Sequence, residues 1–226
     1  MRDAASEQKV VTSVGLRTPK AGAVAGIVFS ILLVIILWLL RNAIPPAPLE
    51  SAAWVDAKSG ALTLALNLVP FAGIAFLWFL GALRDRLGDL EDKFFATVFL
   101  GSGLLFLAML FAAAAILGAL ILTLALYPGE ANSATTSHFA RAVAYIIMNV
   151  YAIKMAAVFM ISTSTVVIYT AIAPRWIAMI GFLLAIFLLF GSHFTKWSFM
   201  MLPLWVCLIS LYILLHKFHR LPHANP

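Results

Sequence analysis

A lysine, Lys154, lies near the middle of the long apolar stretch Phe139–Ile172, which is long enough to cross a membrane as a helix. A charged amine near the centre of a bilayer costs roughly 2.5–3.5 kcal/mol on insertion scales, and such residues usually face a bundle interior or water. All nine acidic residues of the chain lie outside the predicted spans, so the sequence offers the amine no carboxylate within the membrane. Lys154 therefore predicts a binding site, and an anion is the ligand that its charge favours.

Polar side chains recur on the same face of this predicted helix. At about 100° per residue, four of them fall within about 80° of Lys154: Tyr151, Ser162, Thr165 and Tyr169. This stripe runs from the middle of the membrane toward one end of the helix. We expect it to line the site, with Tyr151, Ser162 and Thr165 as ligand-binding residues.

Two further residues of the same helix, Arg141 and Asn149, lie on roughly the opposite face. Because the helix is polar on two faces, we expect it to be central in a bundle rather than exposed to lipid. Asn67 precedes Pro70 by three residues in another span, where the proline frees a backbone carbonyl. We include Asn67, Asn149 and Arg141 in the candidate site. The alternative is a purely structural Lys154 amine that is satisfied by hydroxyls, Asn67 and backbone carbonyls.

Composition places the whole chain in the membrane class. It has 226 residues, of which 64% are hydrophobic and 11% charged, with a mean hydropathy of +1.05, whereas soluble domains have about 45–50% apolar and about 25% charged residues. The net charge of +6 does not indicate nucleic-acid binding, because no basic block is interleaved with aromatic residues. Cys207 is the single cysteine, so an intrachain disulfide and a cysteine metal site are excluded.

The expected fold class is all-α, a polytopic bundle of six transmembrane helices. The predicted spans are Ala21–Leu40, Ala61–Leu83, Phe94–Leu126, Phe139–Ile172, Trp176–Gly191 and Trp197–Leu215. A basic leader (1–20) precedes them and a short tail (216–226) follows. The first apolar run is longer than that of a signal peptide, so we interpret it as a retained anchor.

Basic residues predict the orientation of the bundle. Of the 15 lysines and arginines, ten fall on the side of the termini, three on the other side and two within spans. The positive-inside rule then places both termini in the cytoplasm. Aromatic residues mark two interfaces, one with Trp38, Trp54, Tyr127 and Trp197 and the other with Trp78, Tyr169 and Trp176. The compact loops, without an outward N-x-S/T sequon, favour the inner membrane of a bacterium.

Three functions are compatible with these features. The first is a small channel or transporter-like protein that binds or passes an anion near Lys154; six spans leave little room for a wide pore, which favours a homo-oligomer. The second is a membrane-embedded enzyme acting on lipid. Its chemistry would come from the outer histidines, His138 and His193, the latter with Glu130 as an acid–base partner, or from the loop 84–93 with its cluster Asp85, Asp89 and Asp92. Arg84, Arg86 and Lys93 neutralise that cluster, which favours a solvated loop instead.

The third function is a non-catalytic partner or assembly subunit that binds anionic lipid or other spans. Small residues allow helices to approach closely, and they occur as Gly22 and Gly26 in the first span and as a stripe in the third span: Ala108, Ala112, Ala115 and Ala119.

Evidence for catalysis or a cofactor is thin. The tail histidines His216, His219 and His223 have a spacing that a metal could use, but they belong to an ordinary basic juxtamembrane end. A retinal-type Schiff base at Lys154 would need a carboxylate counter-ion inside the bundle, and the spans contain none. We therefore assign no catalytic residue, no metal and no cofactor.

Overall fold

The structure, a computed structural model, describes residues 18–44, 53–87, 93–126, 134–170, 172–191 and 197–216. Within these ranges the chain is almost entirely helical and contains no β-strand. The α-helices are α1 (Thr18–Ala43), α2 (Ala53–Leu87), α3 (Lys93–Leu126), α4 (Ala134–Ile146), α5 (Ile153–Thr170), α6 (Arg175–Ile186) and α7 (Met201–His216). Two π-helical segments extend them: π1 (Ile147–Ala152), which joins α4 to α5, and π2 (Phe187–Gly191), which continues α6.

Apolar helices of membrane-spanning length confirm the predicted fold class. Five stretches are long and apolar enough to cross a bilayer: Lys20–Ala43, Gly60–Asp85, Ala96–Leu126, Thr135–Thr170 and Ser198–Leu215. A shorter apolar helix, Arg175–Gly191, corresponds to the fifth predicted span. The protein is thus an all-α, multi-pass membrane protein, and its orientation stays a prediction.

The helices pack in chain order around a closed circuit. Helix α1 packs against α2, α2 against α3, and α3 against α4, π1 and α5; α5 then packs against α6, and α7 returns to pack against α1. Helix α5 also touches α2 and α7, so its inner face contacts most of the bundle.

Phenylalanine side chains from four helices meet at the centre of this bundle. The ring of Phe76 on α2 lies 4.7 Å from that of Phe29 on α1, 5.6 Å from that of Phe106 on α3 and 5.2 Å from that of Phe159 on α5, measured between ring centroids. All four side chains are buried. Tilted and edge-on ring pairs of this kind add about 0.5–1.5 kcal/mol each beyond the area they bury, so Phe76 links the four helices.

Of the two predicted small-residue faces, the glycine pair of α1 packs against other helices of the chain and the alanine stripe of α3 does not. Gly22 lies against Ala82, and Gly26 lies against Ser210 and Phe79, so this pair lets α1 approach α2 and α7 closely. The alanine stripe of α3 makes no such interface within the chain, since all four of its members are exposed: Ala108, Ala112, Ala115 and Ala119.

One end of the bundle is marked by a contact between helix ends. The Arg41 guanidinium, in the last turn of α1, lies 4.7 Å above the ring of Trp197, just before α7. The end of α1 and the start of α7 therefore lie at the same level, as the predicted aromatic interface with Trp38 and Trp197 requires.

Several residues of the alternative hypotheses lie outside the described ranges. Asp85 lies on the described part of α2, whereas Asp89, Asp92, Glu130, His193, His219 and His223 do not belong to the described residues.

Candidate ligand site at Lys154

The candidate site is built on a hairpin of α5 and α6. Helix α5 ends at Thr170, and Pro174, in an extended conformation with φ −67° and ψ 150°, precedes the first residue of α6. The amide of Ile177 donates to the Pro174 carbonyl at 3.0 Å, which closes the first turn. The chain therefore reverses within a few residues, and α6 runs back along α5 toward the level of Lys154.

The Lys154 amine donates a hydrogen bond to the backbone carbonyl oxygen of Leu189 in π2. The last carbonyls of a helix lack partners within the helix, and the partial negative charge at this end attracts cations. The described part of the chain thus supplies the amine with a backbone acceptor in place of a carboxylate. This is one element of the structural alternative that the sequence left open.

Both partners of this bond lie in or beside π-helical turns. Lys154 follows π1 by two residues, and Leu189 lies within π2. A π turn has i→i+5 bonds and is frequently found at functional sites. A π turn also contains one extra residue. The part of the helix before the turn is therefore rotated by about 100° compared with a regular α-helix. The prediction that Arg141 and Asn149 lie on the face opposite Lys154 assumed an uninterrupted α-helix, and π1 interrupts it.

The side chains around the amine are partly or largely exposed. Lys154 itself is half-buried. Tyr151, close to it on the preceding turn, is 55% exposed, and Phe190, which follows Leu189, is 77% exposed. The sequence suggested a polar stripe turned toward the bundle interior. The structure instead places Tyr151 and Tyr169 on the surface, with Lys154 at the edge between α5 and α6.

The other hydroxyls of the predicted stripe bond to their own helix. Ser162 donates to the Val158 carbonyl at 3.0 Å and is buried, and Thr165 donates to the Ile161 carbonyl at 3.0 Å. Such bonds one turn back are typical of serine and threonine within helices. Their protons are therefore directed along α5 and not toward the Lys154 amine.

None of the remaining predicted residues bonds to the amine within the described part of the chain. Asn149 donates from Nδ2 to the Tyr145 carbonyl at 3.0 Å. Arg141 precedes Lys154 by thirteen residues, which is about 20 Å along a helix, too far for one small ligand to touch both. Asn67 is exposed on α2, which packs mainly against α1 and α3. The structure thus brings together Lys154 and the Leu189 carbonyl, and Tyr151 precedes the lysine by three residues.

A small apolar crevice lies on the inner side of the two π segments. Its cavity volume is about 10 Å³, which is the space of about one water molecule. It is lined by Leu33, Leu37, Phe106, Met148, Ile153, Ala156, Leu188, Ser198, Phe199 and Leu202. Met148 belongs to π1 and Leu188 to π2, so the crevice borders both irregular segments.

Sequence reasoning missed the π segments and the Leu189 carbonyl. A backbone acceptor has no signature in the sequence, because every residue carries one. The shortness of the fifth span was the available signal that a helix end would lie near the middle of the bilayer.

Among the described residues, no group of three His, Cys, Asp or Glu side chains is arranged to hold a metal ion. Comparisons with protein-family models, with curated proteins and with solved structures gave no match to this chain.

Proposed function

We propose that this multi-pass membrane protein binds an anionic group at Lys154, where α5 packs against α6 and π2. The observation that supports the proposal is an ammonium group, half-buried near the middle of a spanning helix, with one backbone acceptor among the described residues. An ammonium carries three donors, so two stay available for a ligand. An anion beside the amine would balance a charge that is costly within a membrane span.

The geometry favours binding over conduction through one protomer. The crevice beside the π segments has a volume of about 10 Å³, and its lining is apolar apart from Ser198. An anion pore needs a continuous polar path with charged or carbonyl-lined constrictions. A channel or transporter-like role would therefore use surfaces contributed by more than one protomer, with Lys154 at their contact.

Native mass spectrometry of the protein released from its own membrane tests the proposal. The wild-type protein is expected to retain an anionic species that Lys154→Met loses and Lys154→Arg keeps. Lys20→Met is the matched control, because it removes one positive charge at the start of α1, outside the middle of the bundle. The proposal is wrong if the wild-type protein carries no anionic species, or if Lys154→Met carries it as well as wild type.

A second function, that of a non-catalytic subunit of a membrane complex, is favoured by the exposed alanine stripe of α3. Ala112 is exposed, and its small side chain allows a neighbouring helix to pack closely. Ala112→Leu is expected to weaken such an association without affecting the fold, because the added atoms point outward. Leu105→Ile, also on an exposed position of α3, is the control. Equal assembly of the two variants, measured by single-molecule photobleaching in vesicles, would exclude this interface.

A further inference from the structure

A second apolar crevice lies at one end of the bundle, where three helices and the connection between α5 and α6 meet. Its lining includes Gly22 of α1, Phe79 of α2, Ile172 just after α5, and Ile213 of α7, and all its lining residues are apolar. The cavity volume is about 20 Å³, which is the space of about one or two water molecules. The crevice is therefore shallow, and a ligand would place only a short apolar segment in it.

This crevice lies at the level where the apolar spans end. The span Lys20–Ala43 begins two residues before Gly22. The span Ser198–Leu215 ends two residues after Ile213. Because a span ends where the hydrocarbon core gives way to the headgroup region, the crevice lies beside lipid headgroups and the first part of their acyl chains.

Basic side chains border the same end of the bundle. Lys20 lies about one turn before the crevice on α1, and Arg175 follows the lining residue Ile172 by three residues. Both basic side chains are exposed. On α2, Arg84 directly follows a lining residue and is followed by Asp85, and these two opposite charges are also exposed. Among the described residues at this end, Lys20 and Arg175 therefore give the surroundings of the crevice a net positive charge.

We infer that this crevice, with Lys20 and Arg175 beside it, binds an anionic phospholipid. The phosphate group lies near the two basic residues, and a short part of one acyl chain lies in the crevice. Charge complementarity identifies the ligand, because basic pockets between membrane helices bind the headgroups of anionic lipids. A free anion would gain nothing from the apolar lining, and a zwitterionic lipid brings no net charge to balance the basic residues.

Native mass spectrometry of the delipidated protein tests the inference. Phosphatidylglycerol, which is anionic, and phosphatidylcholine, which is zwitterionic, are added back with the same acyl chains. We expect wild type to retain a phosphatidylglycerol that phosphatidylcholine does not replace. Arg175→Gln is expected to weaken its binding about fivefold, which is the contribution of one basic residue near a membrane surface. Arg41→Gln is the matched control, because Arg41 lies over the ring of Trp197 at the other end of α1.

Filling the crevice tests whether an acyl chain enters it. Ile213→Phe enlarges a lining side chain and is expected to weaken phosphatidylglycerol binding at least about fourfold, the contribution of one displaced methylene. Leu211→Phe is the control, because Leu211 is 40% exposed on the same helix and does not line the crevice. Inorganic phosphate at millimolar concentration is expected not to displace the lipid.

Four results would each overturn the inference. Equal binding of the two lipids would show that the charge of the headgroup is not recognised, and displacement by inorganic phosphate would show that the site takes a free anion. Equal binding by Arg175→Gln and Arg41→Gln would exclude the basic residue beside the crevice. Unchanged binding by Ile213→Phe would exclude the crevice as the place of the acyl chain.

The lipid site and the proposed function fail independently. The Leu189 carbonyl that accepts the bond from Lys154 lies about 21 Å along α6 from Arg175. Lys154→Met is therefore expected to keep the phosphatidylglycerol, whereas Lys20→Met is expected to weaken it about fivefold and to keep the anion at Lys154. Loss of the phosphatidylglycerol in Lys154→Met and not in Arg175→Gln would support the proposed function and exclude the lipid site at the crevice.

Discussion

The hydroxyl oxygen of Ser164 on α5 lies directly against the Cα of Gly181 on α6, where a Cβ would overlap it. The same Cβ would lie 2.6 Å from Cζ2 of Trp205 on α7. Trp205 is buried and donates from Nε1 to the Ile177 carbonyl of α6 at 3.3 Å. Three helices thus meet around one glycine, about two turns from the start of α6, and this contact fixes the angle at which α6 carries Leu189 toward Lys154.

We expect Gly181→Ala to destabilise the bundle by about 1–3 kcal/mol, because the added methyl has to displace the buried Ser164 hydroxyl and the Trp205 indole ring. Reversible unfolding with SDS in mixed micelles measures the change. Gly101→Ala is the control, since no neighbouring atom lies within 4 Å of its added Cβ. Equal stability of the two variants would show that α5, α6 and α7 do not pack this tightly.

Removal of the Ser210 hydroxyl is expected to leave stability unchanged or to increase it. Ser210 is buried against Gly26 and its oxygen has no hydrogen-bond partner among the described residues. A buried unpaired polar group costs about 1–3 kcal/mol, and Ser210→Ala abolishes that cost. Ser30→Ala is the matched control, because the equally buried Ser30 hydroxyl donates to the Gly26 carbonyl at 2.8 Å.

The control, Ser30→Ala, is expected to lose about 0.5–1.5 kcal/mol with its hydrogen bond. Both variants are compared in the same SDS titration. A larger loss for Ser210→Ala than for Ser30→Ala would contradict the assignment of Ser210 as an unpaired group.

Truncation of Phe76 is expected to be among the most damaging substitutions. Its ring contacts rings from three other helices, so Phe76→Ala leaves a cavity that no single helix can fill, at a cost of about 3–5 kcal/mol. Phe71→Ala, on the exposed face of the same helix, removes the same atoms without leaving a cavity. It is expected to cost about 1 kcal/mol or less. Similar losses of stability for the two variants would show that Phe76 does not lie at the centre of the core.

The predicted orientation can be measured with single cysteines. Cys207 is the only natural cysteine, and Cys207→Ala provides a cysteine-free background. In intact cells a membrane-impermeant maleimide is expected to label Trp197→Cys, on the side opposite the termini, and not Trp176→Cys. Both side chains are about half exposed, with values of 52% and 51%, so the difference reports the side of the membrane. Labelling of Trp176→Cys and not of Trp197→Cys would show that the orientation is opposite to the predicted one.

The fold class and the position of Lys154 within an apolar span could be predicted from the sequence because both depend on composition along the chain. Apolar stretches of about 20 residues become helices in a bilayer, where every backbone group needs a partner within its own segment. A lysine in such a stretch, with every acid elsewhere, is visible without coordinates. Gly22 and Gly26 could likewise be recognised as a close-packing pair, although not as a contact within the chain.

The surroundings of Lys154 were decided by tertiary structure. The predicted stripe assumed regular α geometry through Tyr151 and Lys154, and π1 interrupts that geometry just there. The acceptor is the backbone carbonyl of Leu189, and every residue has such a carbonyl. The sequence therefore does not identify it, and the length and angle of α6 bring the Leu189 carbonyl to the amine. Sequence thus determined which charge lies in the membrane, whereas packing decided that it lies beside a helix end and faces the perimeter, because packing depends on side-chain shapes that meet from distant parts of the chain.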